Sequence, residues 1–167
     1  MFNFLDKISS QKSILIIAFK GWSDAAEAAT SAVDTIIKNY DSTKFASFEE
    51  EEFFACARER PNIKNSKDGR ILEWPNNDLY YIQDAIDNTP LIIMNGTEPH
   101  FKWKTFSKEV IDLCLSMNVT SVVTLGALLD SIPHTRGVKT QITGQHEFMP
   151  EDFTQKKIGP SKYEGPT

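Results

Sequence analysis

Three short segments carry the residues of this sequence that could take part in chemistry. They are residues 21–24, 95–100 and 126–136, and each combines glycine with acidic, aromatic or basic side chains. A histidine that titrates near neutrality could act as a general base, and an arginine could clamp an anion. The candidate functional residues in and beside these segments are Trp22, Asp24, Glu98, His100, Trp103, His134 and Arg136.

Several of these candidates also have a purely structural interpretation. Asp24 precedes a helical pattern and is explained by capping alone, and this explanation is favoured over a catalytic carboxylate. Glu98 lies before a second predicted helix, where the helix dipole favours an acidic side chain. A histidine in a loop, such as His134, more often hydrogen-bonds to backbone than catalyses, and Arg136 could form a local ion pair. Trp22 and Trp103 could cover a sheet edge or anchor a protein interface, where tryptophan is enriched.

The known catalytic and cofactor motifs are missing from the sequence. It contains no GxGxxG or GxxxxGK[ST] phosphate loop and no GxSxG nucleophile elbow. Its two cysteines, Cys56 and Cys114, belong to no CxxC or Cys/His cluster, which argues against structural zinc. We therefore predict no catalytic residue, no metal and no cofactor, and an enzyme is the less favoured interpretation.

The elements that must position the three segments follow from the apolar pattern. Residues 14–20, 90–94 and 120–125 are short, β-branched and apolar, as buried strands are. Helical patterns follow the first two strands, from Asp24 to Tyr40 and over residues 105–117. This alternation predicts an α/β domain in which a mostly parallel sheet is covered on both faces. In such a sheet, ligand sites lie beyond the carboxyl ends of the strands, which is where the three segments begin.

Residues 41–83 have a different pattern. Short strand-like segments flank a turn at residues 66–69, so the block is predicted to be an inserted antiparallel β hairpin region. A further strand is predicted over residues 138–143. The whole chain, 1–167, is predicted to form a single α/β domain that contains this insertion.

The composition excludes several classes of function. The chain has 167 residues, 40% of them hydrophobic, and a net charge of -5 with scattered lysine and arginine. A nucleic-acid binder needs a concentrated basic patch, so no nucleic-acid partner is expected. No apolar run reaches the roughly 20 residues that cross a bilayer, and the N-terminal residues lack a signal-peptide pattern. We therefore expect a cytoplasmic protein without a membrane partner.

The same segments resemble the proteasome assembly chaperone 2 family, most closely its bacterial branch. The matching stretches follow one another in family order along essentially the whole chain. They are 21–25, 91–99, Trp103, Phe106, 123–127, 130–136, 143–144 and 163–167. The most specific of them is 130–136. The family carries no agreed catalytic residues, so the resemblance transfers none.

The resemblance implies a three-layer α/β/α fold similar to nucleoside phosphorylases and a tendency to form a homo-oligomer. It also implies a chaperone of proteasome assembly, with proteasome subunits or another protein as the partner. Some family members carry an ATP-grasp or carboxylate–amine ligase label, which no nucleotide motif in this sequence supports. In the family, the stretch matched by 163–167 leads into another strand and helix, so the resemblance implies a C-terminal portion beyond residue 167.

Two hypotheses of function follow. The favoured one is a non-catalytic protein-binding or assembly module, which predicts an exposed apolar and aromatic surface. The alternative is a small-molecule-binding protein or a phosphorylase-like enzyme that uses the crevice at the carboxyl ends of the strands. The shortened match to the family also predicts an unpaired sheet edge or exposed apolar surface.

Overall fold

The fold was analysed in a computed structural model of the chain. The structure describes residues 2–5, 12–48, 51–67, 69–138, 140–144 and 156–158. The chain divides into two compact units, residues 1–129 and 130–167. The prediction of a single domain over 1–167 stays a prediction.

The first unit combines strands with two α-helices. In chain order its elements are β1 (Asn3–Phe4), β2 (Ser13–Lys20), α1 (Ala28–Asn39), β3 (Ser42–Phe48), β4 (Asn62–Ser66), β5 (Gly69–Glu73), β6 (Asn77–Ile86), β7 (Thr89–Thr97), α2 (Trp103–Ser116) and β8 (Val119–Leu125). The apolar runs predicted as strands thus form β2, β7 and β8.

The central sheet is mixed, with a parallel half and an antiparallel half. Its strand order is β1-β3-β6-β7-β2-β8. Strands β7, β2 and β8 are parallel neighbours, whereas β1, β3, β6 and β7 pair antiparallel in that order. The tight β6–β7 turn at Asp87 and Asn88 has positive φ at both residues, 46° and 61°, as two-residue hairpin turns with a right-handed twist require.

Side-chain alternation along the strands sends apolar groups to both faces of the sheet. On one face, Ala18 and Ile93 pack against Ala29 and Val33 of α1. The opposite face carries a larger core of phenylalanine, leucine and methionine side chains, and α2 covers it mainly through Phe106. One helix on each face gives the predicted three-layer α/β/α arrangement, which the structure confirms.

The β-rich block between α1 and β7 is divided between two sheets. Strands β3 and β6 extend the central sheet, while β4 and β5 form a separate antiparallel hairpin that closes where Ser66 pairs with Gly69. The second unit contains β9 (Ile142–Gly144) and β10 (Lys156–Ile158), which pair parallel in a two-stranded sheet. The strand expected at 138–143 is therefore shorter and belongs to this small sheet.

Helix α1 begins later than its sequence pattern predicts. A 3-10 turn at Ala25–Glu27 precedes it, and Ala26 and Glu27 have φ of 56° and 55°. Tyr40, the last residue of the predicted helical pattern, lies exposed directly after the helix. No helix in the described part of the chain is long and apolar enough to span a membrane.

Strand β8 forms one edge of the central sheet. Among the described strands it pairs only with β2. Its Val122 and Val123 side chains are exposed. Within the described residues, this edge of the sheet is therefore unpaired and carries exposed apolar side chains.

Candidate functional site

The turns after the three parallel strands meet at one edge of the sheet. Lys20 ends β2 and pairs with Thr97 at the end of β7. The Lys20 carbonyl accepts a hydrogen bond from the Glu98 N–H at 3.0 Å. On the other side of β2, Ala127 follows β8 and donates its N–H to the Ser23 carbonyl at 2.7 Å. These bonds join all three turns into one rim, the geometry expected from the sequence.

Glu98, in the turn after β7, binds the backbone of the turn after β2. Its side chain lies over Gly21 so closely that a Cβ on Gly21 would sit 2.5 Å from Glu98 Oε2 and 2.9 Å from Glu98 Cβ. The same Oε2 accepts a hydrogen bond from the Trp22 N–H at 3.3 Å. The glycine is thus required for close approach, and its absence of a side chain lets the carboxylate hold the backbone of Trp22.

Asp24 is buried and caps α1 from a distance. Its Oδ1 accepts hydrogen bonds from the N–H groups of Ala29 at 2.7 Å and Thr30 at 3.3 Å, and its Oδ2 accepts one from the Thr30 hydroxyl at 2.5 Å. The 3-10 turn between Asp24 and α1 brings the carboxylate back over the free N–H groups of the first helical turn. Capping therefore accounts for both carboxylate oxygens.

The capping role predicts a loss of stability when this carboxylate is removed. We expect Asp24→Ala to lower the free energy of unfolding by about 2 kcal/mol, because a buried and a partly buried helix N–H group lose their acceptor. Chemical denaturation followed by circular dichroism would measure it. Asp112→Ala is the matched control, since Asp112 pairs with Lys108 on the exposed side of α2 and should contribute almost nothing. Equal stability of the two variants would contradict the capping role.

His100 holds the chain around Phe53 against the loop after β7. Its Nδ1 accepts a hydrogen bond from the Ala55 N–H at 3.2 Å, so the neutral ring carries its proton on Nε2. The backbone N–H of His100 donates to the Phe53 carbonyl at 2.7 Å. These contacts give His100 a local structural role.

Large apolar side chains project from the rim. Trp22 is 74% exposed, Leu128 73%, Phe101 53% and Trp103 50%. We call these four residues the rim surface. Trp22 and Leu128 lie in turns that the Ser23–Ala127 hydrogen bond joins, while Phe101 and Trp103 follow the segment that Glu98 ties to Trp22. The two tryptophans thus remain largely uncovered by the described chain.

His134 and Arg136 lie in the second unit. The Arg136 N–H donates to the Pro133 carbonyl at 2.9 Å and closes a turn that contains His134. Both side chains are exposed. The convergence of all seven candidate residues on one crevice stays a prediction.

A polar cleft that the sequence did not reveal lies in the first unit, on the α1 side of the sheet. It has a volume of about 390 Å³ and lies at the carboxyl ends of β2 and β7. Its lining comes from α1, the strand ends and the segments that flank the β4–β5 hairpin, and includes Asp34, Trp74, Asp78, Tyr80 and Asn95. We call it the α1-side cleft.

The α1-side cleft is electrostatically negative around Tyr80. Burial, and then the carboxylates of Asp78, Asp34 and Glu73, raise the pKa of the Tyr80 phenol above its usual value. Close by, a hydrogen bond from Lys20 to Glu59 raises the pKa of the lysine. Carboxylates from α1, β5 and β6 therefore act on one phenol, and all of these groups line the same cleft.

Asp34 of this cleft carried no clear signal in the sequence. Consecutive residues of a helix point about 100° apart, so Asp34 lies beside the apolar stripe that contains Val33 and is only half-buried. Its partner is the Asn95 carboxamide, which donates to Asp34 Oδ1 at 2.6 Å. The contribution of the hairpin segments could not be read from any local pattern, because they are distant from Asp34 in sequence.

The described residues contain no cluster suited to metal binding. No group of three or more histidine, cysteine or acidic side chains is placed to hold an ion within these parts of the chain. Cys56 and Cys114 are both free. Burial raises the pKa of the Cys114 thiol, and Cys114 packs against the α2-side core as a small apolar group.

Comparison with known proteins identifies relatives over nearly the whole chain. The sequence model of the PAC2 family matches residues 18–167. None of the curated proteins matches the chain significantly.

Several solved structures share this fold. A PAC2 family protein from Streptomyces avermitilis is 30% identical, with a TM-score of 0.81 over 93% of this chain and 66% of its own. The Mycobacterium tuberculosis proteasome-assembly chaperone homologue Rv2125 is 28% identical, with a TM-score of 0.74 over 92% of this chain and 64% of its own. A Corynebacterium glutamicum protein of unknown function is 26% identical, with a TM-score of 0.71 over 81% of this chain and 53% of its own. This chain therefore spans somewhat less than two thirds of the length of these relatives.

Proposed function

The chain belongs to the PAC2 family, and from this membership we propose that it is a cytoplasmic, non-catalytic module that binds another protein and assists its assembly. A relative from Mycobacterium tuberculosis is described as a proteasome-assembly chaperone homologue. By analogy, the partner we propose is a subunit of an oligomeric complex such as the proteasome, or a second copy of this chain.

The rim surface is the single observation that carries this proposal. It presents two tryptophans, one phenylalanine and one leucine to solvent at one edge of a folded sheet. Exposed tryptophan is energetically unfavourable in water and is enriched among the residues that contribute most to protein binding. An isolated apolar residue on a surface needs no explanation, but four on segments that follow neighbouring strands favour an interface.

The backbone beneath Trp22 is held rigidly, which suits a binding anchor. Glu98 bonds to the Trp22 N–H, and Asp24 anchors the following turn to α1. A side chain presented by an ordered turn loses little conformational entropy when a partner binds. The charged and polar groups at the rim thus act as supports for an apolar contact.

This proposal predicts that Trp22→Ala weakens partner binding about thirtyfold or more, because truncation of an anchoring tryptophan typically costs at least about 2 kcal/mol. The purified chain would be immobilised and exposed to native cell extract, and retained proteins would be identified by mass spectrometry. Tyr40→Ala is the matched control, since Tyr40 is an exposed aromatic residue at the opposite end of α1.

The identity and behaviour of the retained proteins decide the outcome. Proteasome subunits retained by the parent and by Tyr40→Ala, but lost in Trp22→Ala, would support an assembly chaperone. Retention of the same proteins by all three would remove the rim surface from the proposal. Light scattering after size exclusion would test the proposed homo-oligomer separately, and a monomer at all concentrations would oppose it.

A second candidate function, binding of a small molecule, is favoured by one observation. The α1-side cleft occupies the position where open α/β sheets bind ligands. It differs from the crevice predicted from the sequence, because none of the seven candidate residues is among the residues that line it. Under this alternative, the phosphorylase-like or ATP-grasp-labelled enzyme uses this cleft in place of the crevice predicted from the sequence.

A further inference from the structure

We propose that the α1-side cleft binds an alkylammonium group, which the Asp34 carboxylate holds beside the aromatic side chains of Tyr80 and Trp74. This site is separate from the rim surface, and the inference does not depend on the proposed protein-binding function.

The size and the position of the cleft suit a small ligand. Its volume of about 390 Å³ falls near the lower end of the roughly 300–1,000 Å³ that is typical of ligand sites. The side chains of Lys20 and Thr97 mark the carboxyl ends of two neighbouring parallel strands along its wall. Segments on both sides of the β4–β5 hairpin enclose it from outside the sheet.

The charge of the lining selects a cation. Five carboxylates line the cleft against two basic side chains, and one of those two, Lys20, is already paired with Glu59 at 2.8 Å. Burial is the largest cause of the raised pKa of Tyr80, and three of the five carboxylates raise it further, in the direction that a negative potential requires. An anionic ligand would be repelled from this volume, whereas an ammonium would be attracted.

Among the described residues, two of the five carboxylates, Asp34 and Glu27, form no ion pair, and of these two Asp34 is the one that acts on Tyr80. Asp78 forms an ion pair with Lys44 at 2.8 Å, and Glu73 forms one with Lys64 at 2.5 Å. Asp34 is half-buried, and among the described residues its only hydrogen-bond donor is the neutral Asn95 carboxamide, which engages Oδ1. A partly buried carboxylate without a cationic partner is costly, and a ligand ammonium at Oδ2 would offset that cost.

The remaining lining favours an organic cation over a metal ion. Within the described residues, no three potential metal ligands converge. Two aromatic side chains, Trp74 and Tyr80, line the same cleft. Aromatic faces attract ammonium groups, and they pack well against an alkyl chain.

Isothermal titration calorimetry on the intact chain at low ionic strength tests the proposal. The probe is 1,4-diaminobutane, and its neutral and anionic counterparts of similar length are 1,4-butanediol and succinate. We expect heat of binding for the diamine alone. Equal binding of the diol, or no detectable binding of the diamine at millimolar concentration, would overturn the proposal.

The variant Asp34→Asn locates the site. It removes the charge while keeping the shape and the acceptor for Asn95, so the fold should persist, as circular dichroism would verify. We expect about tenfold weaker diamine binding, the usual scale for losing a charged hydrogen bond. Asp112→Asn on α2 is the matched control and should bind like the parent. Unchanged affinity in folded Asp34→Asn would overturn the assignment.

Trp74→Leu gives a second test at an exposed residue. We expect this variant to bind the diamine severalfold more weakly.

An alkylammonium could come from a free amine or from a lysine side chain of another protein. Titration with Nα-acetyl-lysine methylamide distinguishes these sources. Tighter binding of the diamine would support a small-molecule ligand, and tighter binding of the lysine derivative would support a protein side chain. Failure of both would overturn the proposal and leave the rim surface unaffected.

Discussion

Replacing Phe106 by alanine is expected to lower the free energy of unfolding by about 4 kcal/mol, a large part of the stability of a typical domain. Phe106 is 4% exposed and belongs to the core on the α2 side of the sheet. Its ring centroid lies 5.1 Å from that of Phe48 and 5.8 Å from those of Phe19 and Phe53, in edge-on arrangements. Such aromatic pairs add stability beyond the area they bury.

The effect should be large because few side chains attach α2 to the sheet. Only Phe106 and Leu113 are buried along the helix. Truncating Phe106 leaves a cavity among three other rings, which belong to β2, β3 and the turn after β3, and these cannot all collapse into it.

Urea denaturation of the parent and the variant measures this difference. The control is Ile111→Ala on the exposed side of the same helix, which should change stability by less than about 0.5 kcal/mol. A loss of under about 1 kcal/mol for Phe106→Ala would show that α2 is not held through this cluster. Trp103 at the start of α2 should lose its position together with the helix, so partner binding should weaken as well.

Gly96→Ala is expected to destabilise the fold by about 3 kcal/mol through steric overlap in the centre of the sheet. A Cβ on Gly96 would lie 2.5 Å from the Asn77 Cα and would meet the Asn77 side-chain oxygen and the Asn76 carbonyl even more closely. Two of these three atoms belong to the backbone of the paired chain, which the hydrogen bonds between β6 and β7 hold in place.

The expected loss reflects space rather than backbone conformation, because Gly96 is not among the residues with positive φ. Gly126→Ala is the matched control. Its added Cβ would meet its nearest neighbour, the Ser23 carbonyl, at 3.4 Å, an ordinary van der Waals distance. Denaturation curves should show a large shift for Gly96→Ala and a small one for Gly126→Ala. A stable, folded Gly96→Ala protein would mean that β6 and β7 are not in this close register.

The sequence alone predicted the parallel half of the sheet. The apolar runs at 14–20, 90–94 and 120–125 became β2, β7 and β8, and the helical pattern at 105–117 became α2. Burial on both faces makes such strands continuously apolar, which is a local property of the chain. The turn at Ser66–Gly69 was equally local, since hairpin chemistry depends on a few adjacent residues.

Other boundaries depended on contacts that local patterns do not contain. The pattern from Asp24 onward predicted helix, but Ala26 and Glu27 take left-handed conformations because the first turn must also pair with Ala127 after β8. The β6–β7 turn at Asp87 and Asn88 was within reach of sequence analysis, because aspartate and asparagine tolerate positive φ.

The candidate site divides in the same way. The sequence determined that three turns follow parallel strands, so topology alone brought Trp22, Glu98 and the turn after β8 to one rim. Capping by Asp24 was favoured from the sequence, but the 3-10 turn that the carboxylate spans was not. The bond from the Ala55 N–H to His100 and the position of Asp34 facing Tyr80 across a cleft depend on the tertiary structure. The physical reason is that the periodicity of side chains is set by neighbours along the chain, whereas the partner of a polar group is set by segments that only folding brings together.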